Sequence, residues 1–493
     1  MRDCWRILAP TRDHHPSRQP STYGEDRMTG EHSFALRALI GSLCGAASIA
    51  TWTLAPKTLA PPLAPSVTAT VAPNPSLDPA QRFTLSPQRF SQLFLAAFAL
   101  SRLVLYTIAL LLLRIPPHGD VTLYMAEAAH APGHLVYRDF LTNHAPLSPY
   151  LLNALLHLHH SPLTLILCAI LFDIAAMFVW MKAAPHFLDP LTLRRAALLV
   201  LCNPSSLVTE AIDGQMNSLV ALLLALAVYF LVTRRDTLSG ISVALAAATV
   251  RFTTLIYAPG FLFASRRKLP ALLGFLSVLL LIYGGFALAG ADITTPLRLE
   301  GPHKTASNLI FLTEFATGHD LNLRLPILLL ALSWLAVVTL VFFCMKSASA
   351  SQQTDLHAMQ QRVHQAGPET NRRLLHILTL SLIAELLCIQ IFSKNAWDRY
   401  LVMTMFPLCT LAAELTFTWT CAFALWTIAA VTEPSLWATL AHSLPAVTLH
   451  PLLLAGDPIS CALLLVETLY VTGSILLLFA CIRRMLQLRF PTS

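Results

Sequence analysis

Charge is scarce in this sequence: Asp, Glu, Lys and Arg make up 12% of the 493 residues, about half of the ~25% that a soluble domain carries. The chain is 55% apolar and its mean hydropathy is +0.62, so water cannot be its main solvent. Cysteine spacing is the second thing missing. Of ten cysteines, Cys44, Cys168, Cys202, Cys344, Cys388, Cys409, Cys421, Cys461 and Cys481 sit singly inside apolar runs, which reads as small packing residues and not as disulfides or metal ligands. His157, His159 and His160 cluster before an apolar run without zinc-site spacing, and are read as interfacial. There is no Gly-x-x-x-x-Gly-Lys loop, which removes a nucleoside triphosphate site, and no room for a soluble nucleotide-sugar transferase domain. Internal repeats and carboxylate pairs at helical spacing are also missing, which weighs against a secondary transporter. Glu385, Glu414 and Glu467, in or beside apolar segments, are read as helix-to-helix hydrogen bonds.

What the chain does have is apolar runs of about 20 residues, the length needed to cross roughly 30 Å of hydrocarbon at ~1.5 Å per residue. They fall near 91–113, 162–182, 194–211, 215–233, 270–290, 326–345, 374–392, 400–430 (two helices) and 460–482. A further apolar stretch at 238–265 is interrupted by Arg251 and Pro259 and predicts a broken or re-entrant pair, since irregular backbone at membrane depth is tolerated where protein or a cavity surrounds it. The expected fold is therefore all-α: a polytopic transmembrane helical bundle of about ten to twelve spans, with outward-facing amphipathic loop helices and a re-entrant broken helix pair. Residues 1–33 are polar and basic and read as disordered, with Met28 an alternative start. Residues 34–55 read as an extra hydrophobic helix or a signal-like segment. Residues 56–89 form a Pro-rich linker, residues 90–484 the transmembrane domain, and residues 485–493 a cytoplasmic tail.

The net charge is +7, and its distribution sets the orientation. Basic residues gather in alternate loops: Lys182 with Arg194 and Arg195, Arg234 and Arg235, Arg266 with Arg267 and Lys268, Lys346 to Arg373, and Arg483 with Arg484. The positive-inside bias places these in the cytoplasm. The loops at 114–160, 212–215, 291–325 and 393–399 then face outward, into the periplasm in a bacterial cell, and a membrane-lipid partner follows while nucleic acid does not.

The first outward loop carries acidic and aromatic residues close together: Asp120, Tyr124, Glu127, Tyr137-Arg138-Asp139-Phe140 and His144-Ala145-Pro146-Leu147-Ser148-Pro149-Tyr150. Asp120 to Ala131 can form a short helix with Asp120 at its N-terminus, where the dipole favours a carboxylate, and Val121, Leu123, Met125, Ala128 and Ala129 would let it lie along the interface. An Asp in that place is most often a plain N-cap; the neighbouring Tyr and Asp residues add a functional reading.

This loop resembles the GT-C superfamily of integral membrane glycosyltransferases, which use polyprenol-phosphate sugars; within it the chain is similar to the bacterial polyprenol-phosphate-mannose-dependent mannosyltransferases and the enzymes that mannosylate the GPI anchor precursor. The matching positions are Asp120, Tyr124, Tyr137, Asp139 and Pro146, then Asn203-Pro204 with Asp213-Gly214-Gln215-Met216-Asn217-Ser218, then Gly240 to Pro259, where Arg251 stands at a position more usually Lys. His144-Ala145 replaces the usual Tyr-Pro, and Asn217 replaces a common Asp. The resemblance implies transfer of a hexose, mannose in the two groups just named, from a polyprenol-phosphate-sugar donor to a glycolipid or glycan acceptor. It implies Asp120 as general base, with inversion. Asp139 is the second carboxylate, for orienting the acceptor or sharing the base role. Tyr124, Tyr137, His144, Gln215 and Asn217 are candidate substrate contacts. The leaving phosphate needs cations, and the candidates are Arg251, His303, Lys304, Lys394 and Arg399. No cofactor and no metal are expected. A lipid-linked glycan flippase or a surface polysaccharide ligase or polymerase is the alternative.

Overall fold

In a computed structural model, residues 86–117, 119–300, 308–322, 324–358, 366–394, 396–441 and 446–489 are described, together with part of 37–47. The expected disorder of residues 1–33 and most of the 56–89 linker lie outside the described residues. Nineteen α-helices and no strand are present among the described residues. In order they are α1 (Pro87–Tyr106), α2 (Gly119–His130), α3 (Ser148–Leu156), α4 (Pro162–Ala183), α5 (Pro190–Leu201), α6 (Pro204–Ala211), α7 (Asn217–Val232), α8 (Asp236–Thr249), α9 (Ala258–Ala264), α10 (Lys268–Leu279), α11 (Gly285–Leu288), α12 (Thr295–Glu300), α13 (Leu309–Thr317), α14 (Arg324–Ala358), α15 (Ala366–Phe392), α16 (Met405–Glu414), α17 (Phe417–Ala441), α18 (Ala446–Leu454) and α19 (Pro458–Arg489). The last helix runs past the expected domain boundary at 484.

Helix starts are written locally. Ser86, Ser161, Asp189 and Asn203 each precede a proline, and each side chain accepts from a backbone amide in the first turn of α1, α4, α5 or α6. The proline supplies a preset φ where its missing N–H does no harm, and the cap satisfies a donor that lipid could not.

Six stretches are long and apolar enough to cross a membrane: Pro87–Leu112, Pro162–His186, Lys268–Leu288, Arg324–Ser349, Asn371–Phe392 and Pro458–Arg489. The remaining expected spans fold as shorter or broken helices. The run at 194–211 is split into α5 and α6 at Asn203-Pro204, the run at 400–430 divides into α16 and α17, and α7 has 16 residues. The stretch at 238–265 is broken as expected: α8 ends at Thr249, Arg251 is extended (φ −137, ψ 119), and a 3-10 turn at Phe252–Tyr257 leads into α9.

Burial separates inner from outer helices. The span in α15 is 94% buried inside the protein, whereas those in α10, α14 and α1 are 11%, 17% and 22% buried. Leu273, Leu280 and Leu281 on the α10 segment, and Ile327, Leu328 and Leu332 on α14, point outward. An apolar outer surface of this extent fits lipid contact. α8 and α10 approach closely because a side chain at Gly240 or Gly274 would run into the Ala271 or Thr237 carbonyl of the other helix, the small-residue packing that lipid-embedded helices favour. The chain is a multi-pass, all-α membrane protein.

Candidate active site at one end of the bundle

The first long loop does not hang free. The Ala145 and Leu147 amides donate to Val250 O (3.1 Å) and Ala248 O (3.0 Å), occupying carbonyls that the broken end of α8 leaves open. That pairing brings the loop beside Arg251. The turn at 135–140 packs Val136, Tyr137 and Phe140 on Phe286 of α11 and on Ala291, which follows that helix.

α2 presents one stripe to the protein. Asp120, Val121, Tyr124, Glu127 and Ala128 recur at helical spacing, and Val121, Tyr124, Glu127 and Ala128 are buried. Of the residues expected to lie along the bilayer, Val121 and Ala128 instead face inward and Ala129 is exposed, because Tyr124 and Glu127 have polar partners inside.

Asp120 is the centre of the cluster. Its Oδ2 accepts from Gln215 Nε2 at 2.8 Å and from Arg399 Nη1, and the Asp120 and Arg399 side chains are 13% and 12% exposed, so the pair is sheltered yet open to a ligand. One turn on, the Tyr124 hydroxyl donates to Gln215 Oε1 at 3.3 Å. Burial, then the Asp120 charge, push that hydroxyl upward, which keeps it a donor. Gln215 thus links carboxylate and phenol in one orientation.

Gln215 is aimed by the turn before α7. Gly214 has φ +60, and a Cβ there would lie 2.5 Å from Ile166 Cγ1 and 3.1 Å from Val121 Cγ2. Gly214→Ala is therefore expected to destabilise the protein by roughly 1–3 kcal/mol through left-handed strain and overpacking, read as a lowered thermal midpoint in detergent. An unchanged midpoint would mean that the turn relaxes freely.

Arg399 is positioned from both sides. Asn217 Nδ2 donates to Arg399 O at 3.2 Å, and Gln390 Nε2 of α15 donates to Trp397 O at 2.7 Å. The Arg399 guanidinium stacks 4.0 Å from the centre of the Trp397 ring, and the buried Arg251 lies 5.3 Å from that of Tyr400. The Arg251 and Arg399 charges are close enough to act on one another. Next to them, burial raises the Asp398 carboxyl to about 6, with the Arg399 charge pulling the other way. Asn217 fits a hydrogen-bonding role, with its amide spent on backbone.

A second layer joins His144 and Tyr137, both named from the sequence as candidate substrate contacts, to Glu127, to which the sequence assigned no role. Glu127 accepts from Thr142 Oγ1 at 2.5 Å, and His144 Nδ1 lies 2.9 Å from both of its oxygens. The His144 ring sits 5.3 Å from that of Tyr124, joining the two layers. Tyr137, held at φ +67, donates its hydroxyl to His144 O. The signal for Glu127 was its place seven residues after Asp120, on the same helical face.

Asp139, expected as a second carboxylate that orients the acceptor or shares the base role, makes its bonds within its own turn. Its oxygens take Arg138 at 2.8 Å and the Leu135 amide at 2.6 Å, closing the 135–140 turn, and no bond among those described joins it to Asp120. The Arg138 guanidinium, then the Leu135 amide, hold its carboxyl down at about 2. Because that lies below the unfolded value of about 3.9, its support for the turn is fully present above pH ~4 and is lost as pH falls toward ~2. Protection of the Leu135 amide, the intrinsic exchange rate at each pH relative to that observed, is expected to fall across that window; unchanged protection would remove the carboxylate from this role. Lys394 follows the last turn of α15 and is partly buried. His303 and Lys304 lie outside the described residues.

Among the described residues, no group of three or more His, Cys, Asp or Glu side chains is arranged to hold a metal ion. What the cluster offers is a carboxylate, two guanidiniums and a fixed amide at one end of a membrane bundle. No family model and no curated protein matches this chain.

Proposed function

We propose that this protein is an integral membrane glycosyltransferase that moves a hexose, mannose on the resemblance of its motifs, from a polyprenol-phosphate sugar to a glycolipid or glycan acceptor at the outer face of the membrane. The observation that carries the reading is the convergence of Asp120 with Arg399 and Arg251. A carboxylate beside two mutually repelling guanidiniums suits a reaction in which a hydroxyl must lose a proton while a phosphate gains charge.

In this reading the acceptor oxygen attacks the anomeric carbon, its proton passes to Asp120, and the bond from that carbon to the phosphate oxygen breaks with its electron pair left on the phosphate. Direct displacement inverts the anomeric centre. Arg399 serves twice: it is the counter-ion of Asp120, and an arriving phosphate competes for its guanidinium fork, leaving the carboxylate better able to accept a proton. Gln215 and Tyr124 keep the carboxylate in place during the exchange. The outward orientation follows from the basic loops at the other end. Asn217 and Tyr137 act through backbone, and Asp139 supports the loop.

The test is sugar transfer by purified protein in nanodiscs, supplied with polyprenol-phosphate mannose and a panel of glycolipid acceptors. Formation of an extended glycolipid with inverted linkage is expected. Translocation of lipid-linked glycan with no bond formed would replace the enzyme with a flippase.

A further inference from the structure

The other end of the bundle holds a second polar cavity that the transfer reaction does not use. Arg372 precedes Phe392 by twenty residue steps in α15, about 30 Å along a helix, and Arg399 follows shortly after that helix ends. The two places are thus separated by roughly the thickness of the hydrocarbon layer. The cavity, of about 340 Å³, is lined by Arg372, Arg373 and Arg484, with His376, Glu414 and Asp189. The last two are engaged. Asp189 Oδ1 caps α5 through the Leu191 and Thr192 amides, both at 3.0 Å. Glu414 accepts from Arg484 Nε at 2.8 Å and lies 2.9 Å from His376 Nε2. Arg372 Nε donates to Phe187 O at 3.1 Å, which fixes its side chain at the cavity wall.

Two helices, α15 and α19, therefore bring three guanidiniums around one cleft at the level where a bilayer's phosphates lie, and α16 adds Glu414. Their planar forks match phosphate oxygens in pairs, and basic pockets between membrane helices are a recurrent means of holding anionic head groups. Phe187, Leu188 and Leu488 add an apolar side to the same cleft, suited to the glycerol and upper chain of a lipid.

We propose that this cavity is a phosphate-binding site, separate from the Asp120 cluster and independent of the transfer reading. The phosphate comes from an anionic lipid head group or from free phosphate. Glu414 is the internal competitor: it holds Arg484 until the ligand takes the guanidinium.

The full chain in neutral detergent is titrated with short-chain phosphatidylglycerol, with phosphatidylcholine and with inorganic phosphate, and binding is followed by thermal shift and native mass spectrometry. Phosphatidylglycerol is expected to bind, and the Arg373→Gln/Arg484→Gln variant to bind at least about tenfold more weakly. Glu414→Gln removes the competitor and is expected to bind several-fold more tightly. That opposite sign separates a ligand site from a fold defect, and Arg484→Gln/Glu414→Gln, which keeps the charge balance, controls for folding. Binding of phosphatidylglycerol alone names the lipid as source; equal competition by inorganic phosphate names the free anion. Equal binding by wild type and Arg373→Gln/Arg484→Gln, binding of phosphatidylcholine as tight as that of phosphatidylglycerol, or no binding of either anion would overturn the proposal.

Discussion

Asp120→Asn is expected to lower sugar transfer by about a hundredfold or more, the range for losing a positioned general base, while leaving the protein folded. The amide has the shape of the carboxylate and can still accept from Gln215 Nε2, which donates to Asp120 at 2.8 Å. It cannot take the acceptor's proton, and it gives up the ion pair with Arg399. Losing that pair should, if anything, free Arg399 for phosphate, so donor binding is expected to hold or tighten while kcat falls. Asp139→Asn is the companion control: tied to Arg138 and the Leu135 amide, it should change transfer only a few-fold. The measurement is single-turnover transfer with thermal midpoints for each variant. Were Asp120→Asn to keep wild-type kcat, or Asp139→Asn to lose as much, the base would have to be sought elsewhere, with Glu127 first in line.

The largest expected effect on stability comes from Arg102→Met. Arg102 is fully buried in α1; its Nε donates to Asp173 Oδ2 of α4 at 3.3 Å, its Nη2 donates to Ser206 Oγ of α6 at 2.7 Å, and its guanidinium lies 3.5 Å from the centre of the Phe98 ring. Removing one partner of a buried pair leaves an uncompensated charge, a loss of about 3–5 kcal/mol. Replacing both with apolar groups need not be harmful, so Arg102→Met/Asp173→Leu is expected to recover most of the loss. Unfolding in mixed micelles with increasing SDS reads the difference. A double variant as unstable as the single one would mean that the damage is lost packing on Phe98, and not a stranded carboxylate.

Hydropathy showed where the apolar helices are but not which solvent each one meets. The spans in α1 and α15 have the same mean hydropathy, 2.1, yet 22% of one and 94% of the other is buried in protein. Lipid tails are as apolar as leucine side chains, so composition cannot tell the two apart. The break at Arg251 and the turn at Gly214 were legible because a charge in an apolar run, and a glycine between polar residues, have local causes. Asp120, Gln215 and Arg399 were each named from separate motifs, and the fold brings them together although Gln215 and Arg399 lie 95 and 279 residues from Asp120 along the chain. Asp139 bonds the adjacent Arg138 and the Leu135 amide, a pairing that motif order alone does not reveal. Arg102 escaped notice inside an apolar run, its partner being 71 residues away.

The stretch at 34–55 carries a consequence for how the chain can be processed. Arg37 donates to both oxygens of Asp213, at 2.6 and 3.2 Å, two positions before Gln215. Gly41 packs near Ile428 of α17. A leader peptidase cutting near residue 55 would carry this guanidinium away and strand a carboxylate beside the residue that aims Asp120. Retention of the segment as a permanent part of the bundle is therefore expected, and a chain begun by design at residue 57 should be poorly stable and inactive even though every residue of the Asp120 cluster is still encoded.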